Sequence, residues 1–265
     1  MTDTARKKII QIYYSVRAKD YDQQKSRTWK SSQGFGPEVL HEVLDAFKSF
    51  QNKLLLEVGV GSGRNAKLLL EKTRPHLVGL DLTKEMLNIM RKKMSVYKQD
   101  IDLILGDAEH MPFAPRAFEG ILCMSTMHYF ANQEESLKKF AGLLGDEGIF
   151  VCGDLSPHES DNREFFETLE RTISKAHARY YKASEMKKLL ETHGFRVIRT
   201  KTIAYRKSYD KLIEDKARYF NVSPKRLKRH LDAASEESRK RYALTDTELT
   251  QFFTIVVASR LNDSK

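Results

Sequence analysis

Apolar positions along the chain recur at two different spacings, and the change from one to the other marks out its parts. Ile9, Ile10, Ile12, Tyr13 and Val16 fall at helical intervals, as do Val39, Leu40, Val43, Leu44 and Phe47. Residues 1–50 therefore read as a helical segment, with the polar stretch from Lys25 to Gly34 as a loop within it. From Leu54 the pattern becomes short apolar runs separated by amphipathic ones. It predicts strands at 54–58, 76–80, 101–105, 120–124 and 148–152, and helices at 64–72, 84–97 and 134–144. Strands that are apolar throughout, alternating with helices, imply a parallel sheet covered on both faces. Right-handed crossovers then favour a doubly wound α/β sheet.

Beyond Leu155 the spacing predicts helices at 164–178 and 184–192, a strand at 195–198 and a last strand at 252–258. Between those two strands lies a charged helical insertion in which Ser223-Pro224 marks a helix start. The expected organisation is one domain over 1–265. It has a helical cap (1–50), an α/β core (54–204 with 251–261) and a basic helical insertion (205–250).

Hydrophobic residues make up 40% of the chain and charged residues 31%, the composition of a globular protein with a real core. No apolar run reaches the roughly 18 to 20 residues that a membrane span needs, and the N-terminal residues do not resemble a secretory leader, so a cytoplasmic location is expected. Cys123 and Cys152 both lie in strand-like apolar runs and read as small buried hydrophobes; no metal site is expected. The formal charge of +10 is concentrated at Lys225 to His230 and Arg239 to Arg241. Such runs fit a solvated helix face, or, in the alternative, a phosphate-binding surface.

The most informative stretch is Leu56-Glu57-Val58-Gly59-Val60-Gly61-Ser62-Gly63-Arg64-Asn65, an apolar strand that runs through three alternating glycines into a helix. Glycines there let the backbone turn sharply and let a ligand approach the main chain. A dinucleotide fingerprint needs a glycine at the sixth position from Gly59, but that position is Arg64. The spacing therefore points to a nucleoside without a pyrophosphate, and away from a nicotinamide oxidoreductase. Asp81 closes the next strand, where a carboxylate can accept hydrogen bonds from ribose hydroxyls. At Gly106-Asp107-Ala108-Glu109-His110-Met111-Pro112-Phe113, Asp107 can accept from an adenine amine, and Pro112 with Phe113 can wall the ring.

Together these three motifs resemble the class I S-adenosylmethionine-dependent methyltransferases, and most closely the type 11 group that includes ubiquinone and menaquinone methyltransferases. The resemblance runs from about residue 10 to 200 and resumes at the last strand. It extends to Tyr14 through Asp22, where Ser15 stands in place of the group's first Asp. It implies a Rossmann-like seven-stranded sheet with an antiparallel last strand, and S-adenosylmethionine as cofactor. By position, Glu57, Gly59, Gly61 and Gly63 would hold the methionine end and Asp81 the ribose. Asp107 and Ala108 would frame the adenine, Leu82, Met86 and Met124 would be apolar neighbours, and Tyr21 would close over the methionine portion.

Methyl transfer is an in-line displacement, so an enzyme of this kind mainly aligns nucleophile, methyl carbon and sulfur in a dry pocket. After the fourth strand come Met124-Ser125-Thr126-Met127-His128-Tyr129. His128 is the candidate base, because imidazole titrates near neutral pH, and Tyr129 with Tyr14 are candidate pocket walls. No acidic or Asn residue followed by Pro-Pro and an aromatic stands there, as in enzymes acting on base amines, and there is no Pro-Cys. A small-molecule acceptor is therefore expected. The alternatives are an RNA methyltransferase gripping phosphates with the basic insertion, and a non-catalytic cofactor-binding regulator.

Overall fold

Alternate residues of the apolar runs go to opposite sides of a single sheet. Leu56, Ile121, Phe150 and Val256 enter one core, while their neighbours Leu55, Leu122, Val151 and Ile255 enter another. A strand buried on both faces must be apolar at every position, which is why these runs do not alternate with polar residues. The computed structural model of the protein describes residues 2–18, 36–162, 165–220 and 222–261.

The strands are β1 (Leu54–Val58), β2 (His76–Asp81), β3 (Ile101–Leu105), β4 (Phe118–Met124), β5 (Leu144–Ser156), β6 (Phe195–Ser208) and β7 (Glu248–Arg260). They form a seven-stranded sheet in the order β3-β2-β1-β4-β5-β7-β6. Strands β1 to β5 pair in parallel, and β7 runs antiparallel to both β5 and β6. This is the sheet the family resemblance implies.

Helices α2 (Pro37–Ala46), α3 (Arg64–Lys72) and α4 (Lys84–Lys93) cover the Leu55 face through Val43, Leu69 and Met90. Helices α5 (Gln133–Leu143) and α7 (Ala183–Thr192) cover the opposite face through Phe140 and Leu190. The N-terminal helix α1 (Asp3–Ala18) lies on the carboxyl side of β2 and on α4. There Gln11 Nε2 donates to Leu82 O at 3.2 Å and Ser15 Oγ donates to Glu85 Oε2 at 2.7 Å.

Helices α6 (Phe165–Ile173), α8 (Tyr209–Phe220), α9 (Pro224–Asp232) and α10 (Glu236–Arg241) share a separate small core built around the fully buried Tyr242. Leu227 and Leu231 enter it from α9, while Lys225, Arg226, Lys228 and Arg229 stay exposed. Each buried leucine contributes about 1.5–3 kcal/mol. The dense basic run is thus the outer face of an amphipathic helix anchored by its apolar side.

Several elements differ from expectation. Strand β6 continues past 198 to Ser208, so residues 205–208 pair with Gln251 to Glu248 instead of opening the insertion. Its charged positions face α2, where Arg199 Nη2 donates to Asp45 Oδ2 at 3.1 Å and Lys201 Nζ donates to Glu42 Oε1 at 3.1 Å. Strands β5 and β7 also start earlier than expected, at Leu144 and Glu248. The helix expected through 178 ends at Ile173, because the Glu167 carboxylate draws the following chain back on itself. It accepts from the Tyr180 amide at 3.2 Å and pairs with His177 Nε2 at 3.2 Å.

Candidate active site

The carboxyl ends of β1, β2, β3 and β4 open on one side of the sheet, and the glycine turn occupies the centre of that edge. Gly59, Gly61 and Gly63 all have positive φ, at 70°, 57° and 80°. The turn is tied to its neighbours, since the Gly59 and Val60 amides both donate to Leu80 O, at 2.8 and 3.0 Å. A Cβ on Gly59 would strike the Thr126 side chain, whereas one on Gly61 would meet nothing closer than Gly59 O at 4.0 Å. The space in front of Gly61 is open, as the close approach of a ligand to the main chain requires. Gly63 has another task. It caps α3 and leaves room for Met90 of α4 and for Met94 just after it.

Carboxylates flank the turn. Asp81 Oδ2 accepts from the Gly61 amide and Oδ1 from the Thr83 amide, both at 2.8 Å, so the strand-end acid shapes the glycine loop directly. Burial raises its pKa, and the two amides only partly offset that. Glu57 is buried beneath the turn. Asn65 Nδ2 donates to its Oε1 at 3.0 Å, but Oε2 has no hydrogen-bond partner among the described residues, and burial pushes the carboxyl up to about 8. Asp107 is the opposite case. Burial pushes it up, but Lys7 Nζ at 2.7 Å, the Glu109 amide and His110 outweigh that and hold it below the usual range. Lys7, from α1, also reaches Asp3 and Glu109 at 2.5 and 3.0 Å, which fastens the N-terminal helix over the β3 end of the edge.

Past β4 the chain makes a tight turn through Ser125, whose φ of 50° is unusual for a residue with a side chain. Its amide donates to Gly153 O at 2.7 Å, and a 3-10 turn at Met127–Tyr129 follows. This delivers His128 to Asp154, which lies near the end of β5. His128 Nδ1 sits 2.8 Å from Asp154 Oδ2 and 3.0 Å from Oδ1, and the His128 amide lies 3.3 Å from Oδ2. Both residues are buried. A carboxylate only accepts hydrogen bonds, so Nδ1 carries the proton and Nε2 is left as the basic nitrogen. The His128 ring packs against Tyr129 and Tyr180, with centroids 4.0 and 4.7 Å away. Tyr14 OH donates to Tyr129 OH at 3.3 Å, and burial, reinforced by Tyr14, drives the Tyr129 phenol well above its ordinary pKa.

All of this surrounds one cavity of about 580 Å³, running from Asp107 past the glycine turn to His128 and on to a far wall. That wall is made by the overhanging ends of β5, β6 and β7, through Leu155, Tyr205, Lys207, Gln251 and Phe253, and by Glu170, Ile173 and His177 in and after α6. Among the described residues no group of three or more His, Cys, Asp or Glu is arranged to hold a metal.

Residues 56–152 match a family model described as a methyltransferase domain. An uncharacterised methyltransferase of Bacillus subtilis, YcgJ, is 24% identical over 72% of this chain and 76% of its own length. Its crystal structure superposes with a TM-score of 0.75, covering 86% of this chain and all of that one at 20% identity. Residues 56–152 are thus similar to a methyltransferase domain, and the fold that holds them is that of YcgJ. Other relatives align over shorter stretches. A fatty-acid O-methyltransferase of Mycolicibacterium smegmatis is 30% identical over 40% of this chain and 39% of its own length. A demethylmenaquinone methyltransferase of Thermotoga maritima is 32% identical over 39% of this chain and 44% of its own.

Within this fold, Gly59, Gly61, Asp81, Leu82, Met86, Asp107, Ala108, Met124, His128 and Tyr129 border the same cavity. Glu57 and Gly63 do not border it: the first supports the turn from below and the second spaces α3 from α4. Tyr21 lies outside the described residues. Asp154, Glu170, His177, Tyr180, Tyr205, Lys207 and Lys7 were not foreseen as part of the cavity. Asp154 alone had a legible signal, an acid at the carboxyl end of an apolar strand on the edge that holds the glycine turn.

Proposed function

We propose that the chain is an S-adenosylmethionine-dependent methyltransferase that acts on a small-molecule acceptor, with His128 as the base and Asp154 positioning it. The observation that carries this reading is the continuity of one cavity from the glycine turn to the His128–Asp154 pair.

The open space before Gly61, the Glu57 Oε2 beneath the turn, unpartnered among the described residues, and the two strand-end acids suit a nucleoside amino acid. Gly59 and Gly61 would receive its methionine end, Asp81 its ribose and Asp107 with Ala108 its adenine, flanked by Leu82, Met86 and Met124. When bound, the cofactor supplies an electrophilic sulfonium methyl. The chain's own work is alignment, exclusion of water and acceptance of a proton from the nucleophile. With Nδ1–H held by Asp154, His128 Nε2 is the atom that accepts it. A cavity enclosed by α1, the far wall and the insertion favours a small acceptor over a nucleic acid.

Calorimetric titration with S-adenosylhomocysteine tests the cofactor half. The wild-type chain binds it, and Gly61→Arg and Asp81→Ala each weaken binding at least about tenfold; normal affinity in both variants removes the assignment. Product release from a mixture of small-molecule acceptors tests the base. His128→Ala and Asp154→Asn lower turnover about 10²-fold or more while S-adenosylhomocysteine affinity holds. Undiminished turnover takes His128 out of the mechanism.

A further inference from the structure

Resting on the methyltransferase reading above, a second set of groups at the far end of the cavity identifies what the acceptor presents to the protein. Glu170 is 3% exposed and His177 7% exposed, and both border the cavity. Each has a buried polar atom without a hydrogen-bond partner among the described residues: Glu170 Oε1 and His177 Nδ1. Most buried polar atoms in folded proteins are paired, so two orphans beside one cavity call for an explanation.

The chemistry of both atoms points the same way. His177 Nε2 faces the carboxylate Oε2 of Glu167 at 3.2 Å, which makes Nε2 the protonated nitrogen and leaves Nδ1 with a bare lone pair. A glutamate oxygen also accepts. The far wall also carries the buried Lys207, which is already engaged, so Glu170 Oε1 and His177 Nδ1 are the acceptors there left without a donor among the described residues. The other acids nearby are committed, Asp154 to His128 and Glu167 to His177 and the Tyr180 amide. Tyr180, Tyr205 and Phe253 supply aromatic surface around these groups.

We infer that Glu170 and His177 form the acceptor-binding end of the cavity and take a hydrogen-bond donor, an ammonium or hydroxyl group carried on an apolar frame, in preference to a carboxylate or phosphate. An anionic group there would meet a buried carboxylate and a lone pair, a repulsive arrangement that selects against it. The soft terminal torsion of glutamate lets either carboxylate oxygen turn toward the ligand.

The full chain, saturated with S-adenosylhomocysteine, is titrated with phenethylamine, 2-phenylethanol and phenylacetate, which share a frame and differ in their polar end. The amine or the alcohol binds at least about tenfold more tightly than phenylacetate, and Glu170→Gln removes that preference while S-adenosylhomocysteine binding is retained. The two donors together separate an ammonium site from a hydroxyl site. Equal or tighter binding of phenylacetate, no binding by either donor, or a preference unchanged in Glu170→Gln overturns the inference. A second readout needs no ligand. Glu170 Oε1 has no hydrogen bond to lose among the described residues, so Glu170→Gln keeps the wild-type Tm to within about 2 °C without ligand. A Tm lower by more than that, or failure to fold, means that Glu170 is structural and likewise overturns it. Loss of S-adenosylhomocysteine binding by the wild-type chain would instead strike at the methyltransferase reading itself.

Discussion

Glu57 is a carboxyl group that the fold keeps at a cost. Burial raises it to about 8, with the Asn65 hydrogen bond pulling the other way and Asp81 adding to the rise. An acid whose pKa is higher in the folded than in the unfolded state binds its proton more tightly when folded. Its contribution to stability is therefore most favourable below the unfolded value near 4.5, diminishes as pH rises, and levels off above about 8. Gln in its place keeps an acceptor for Asn65 and has no proton to lose. The Tm of Glu57→Gln relative to wild type should accordingly climb between pH 5 and pH 8. Thermal melts at several pH values check this, and a flat difference would mean that Glu57 is not desolvated. Asp81 is shifted in the same direction, for the same reason. The glycine turn thus rests on two acids that burial disfavours, as expected where a site trades stability for a ligand.

At the scale of elements, the legible parts were those with a single physical signature. Strands β1, β2 and β4 are apolar at most positions because both faces are covered, and the glycine turn announces itself by composition. Strand β6 was read too short because Arg199, Lys201 and Arg206 interrupt its apolar run. They lie on an edge strand and find their partners in Asp45, Glu42 and Glu248, residues distant in sequence. Helix α6 was read too long because what ends it is a tertiary contact, Glu167 turning back to Tyr180, which periodicity does not register. Close packing at the sheet gives a direct test. A Cβ on Gly120 of β4 would lie 2.4 Å from Phe50, 2.8 Å from Leu55 and 3.0 Å from Phe47. Gly120→Ala should cost about 1–3 kcal/mol by overpacking, read from denaturant unfolding, and a neutral result would mean that α2 and its following turn shift freely.

For the whole molecule, the net charge of +10 raised the question of a nucleic-acid partner. The exposed face of α9 holds its densest basic run without requiring one, since Leu227 and Leu231 already explain why the helix is there. Bulk transfer RNA should bind weakly and be released by physiological salt; binding that persists there would favour the RNA alternative. The cofactor half of the cavity could be read from sequence because its residues sit in three short motifs at strand ends. Its far wall could not, because it is assembled from β5, α6, β6 and β7, which no local pattern joins. That assembly depends on β7 lying between β5 and β6, the sole hydrogen-bonded neighbour of β6 among the described strands. A ribosome that has just made Ser208 has synthesised six strands but given only five of them a partner. Until β7 follows, the growing chain bears a raw sheet edge at β5 and an unattached β6, and whatever shields nascent chains from one another has these two to guard.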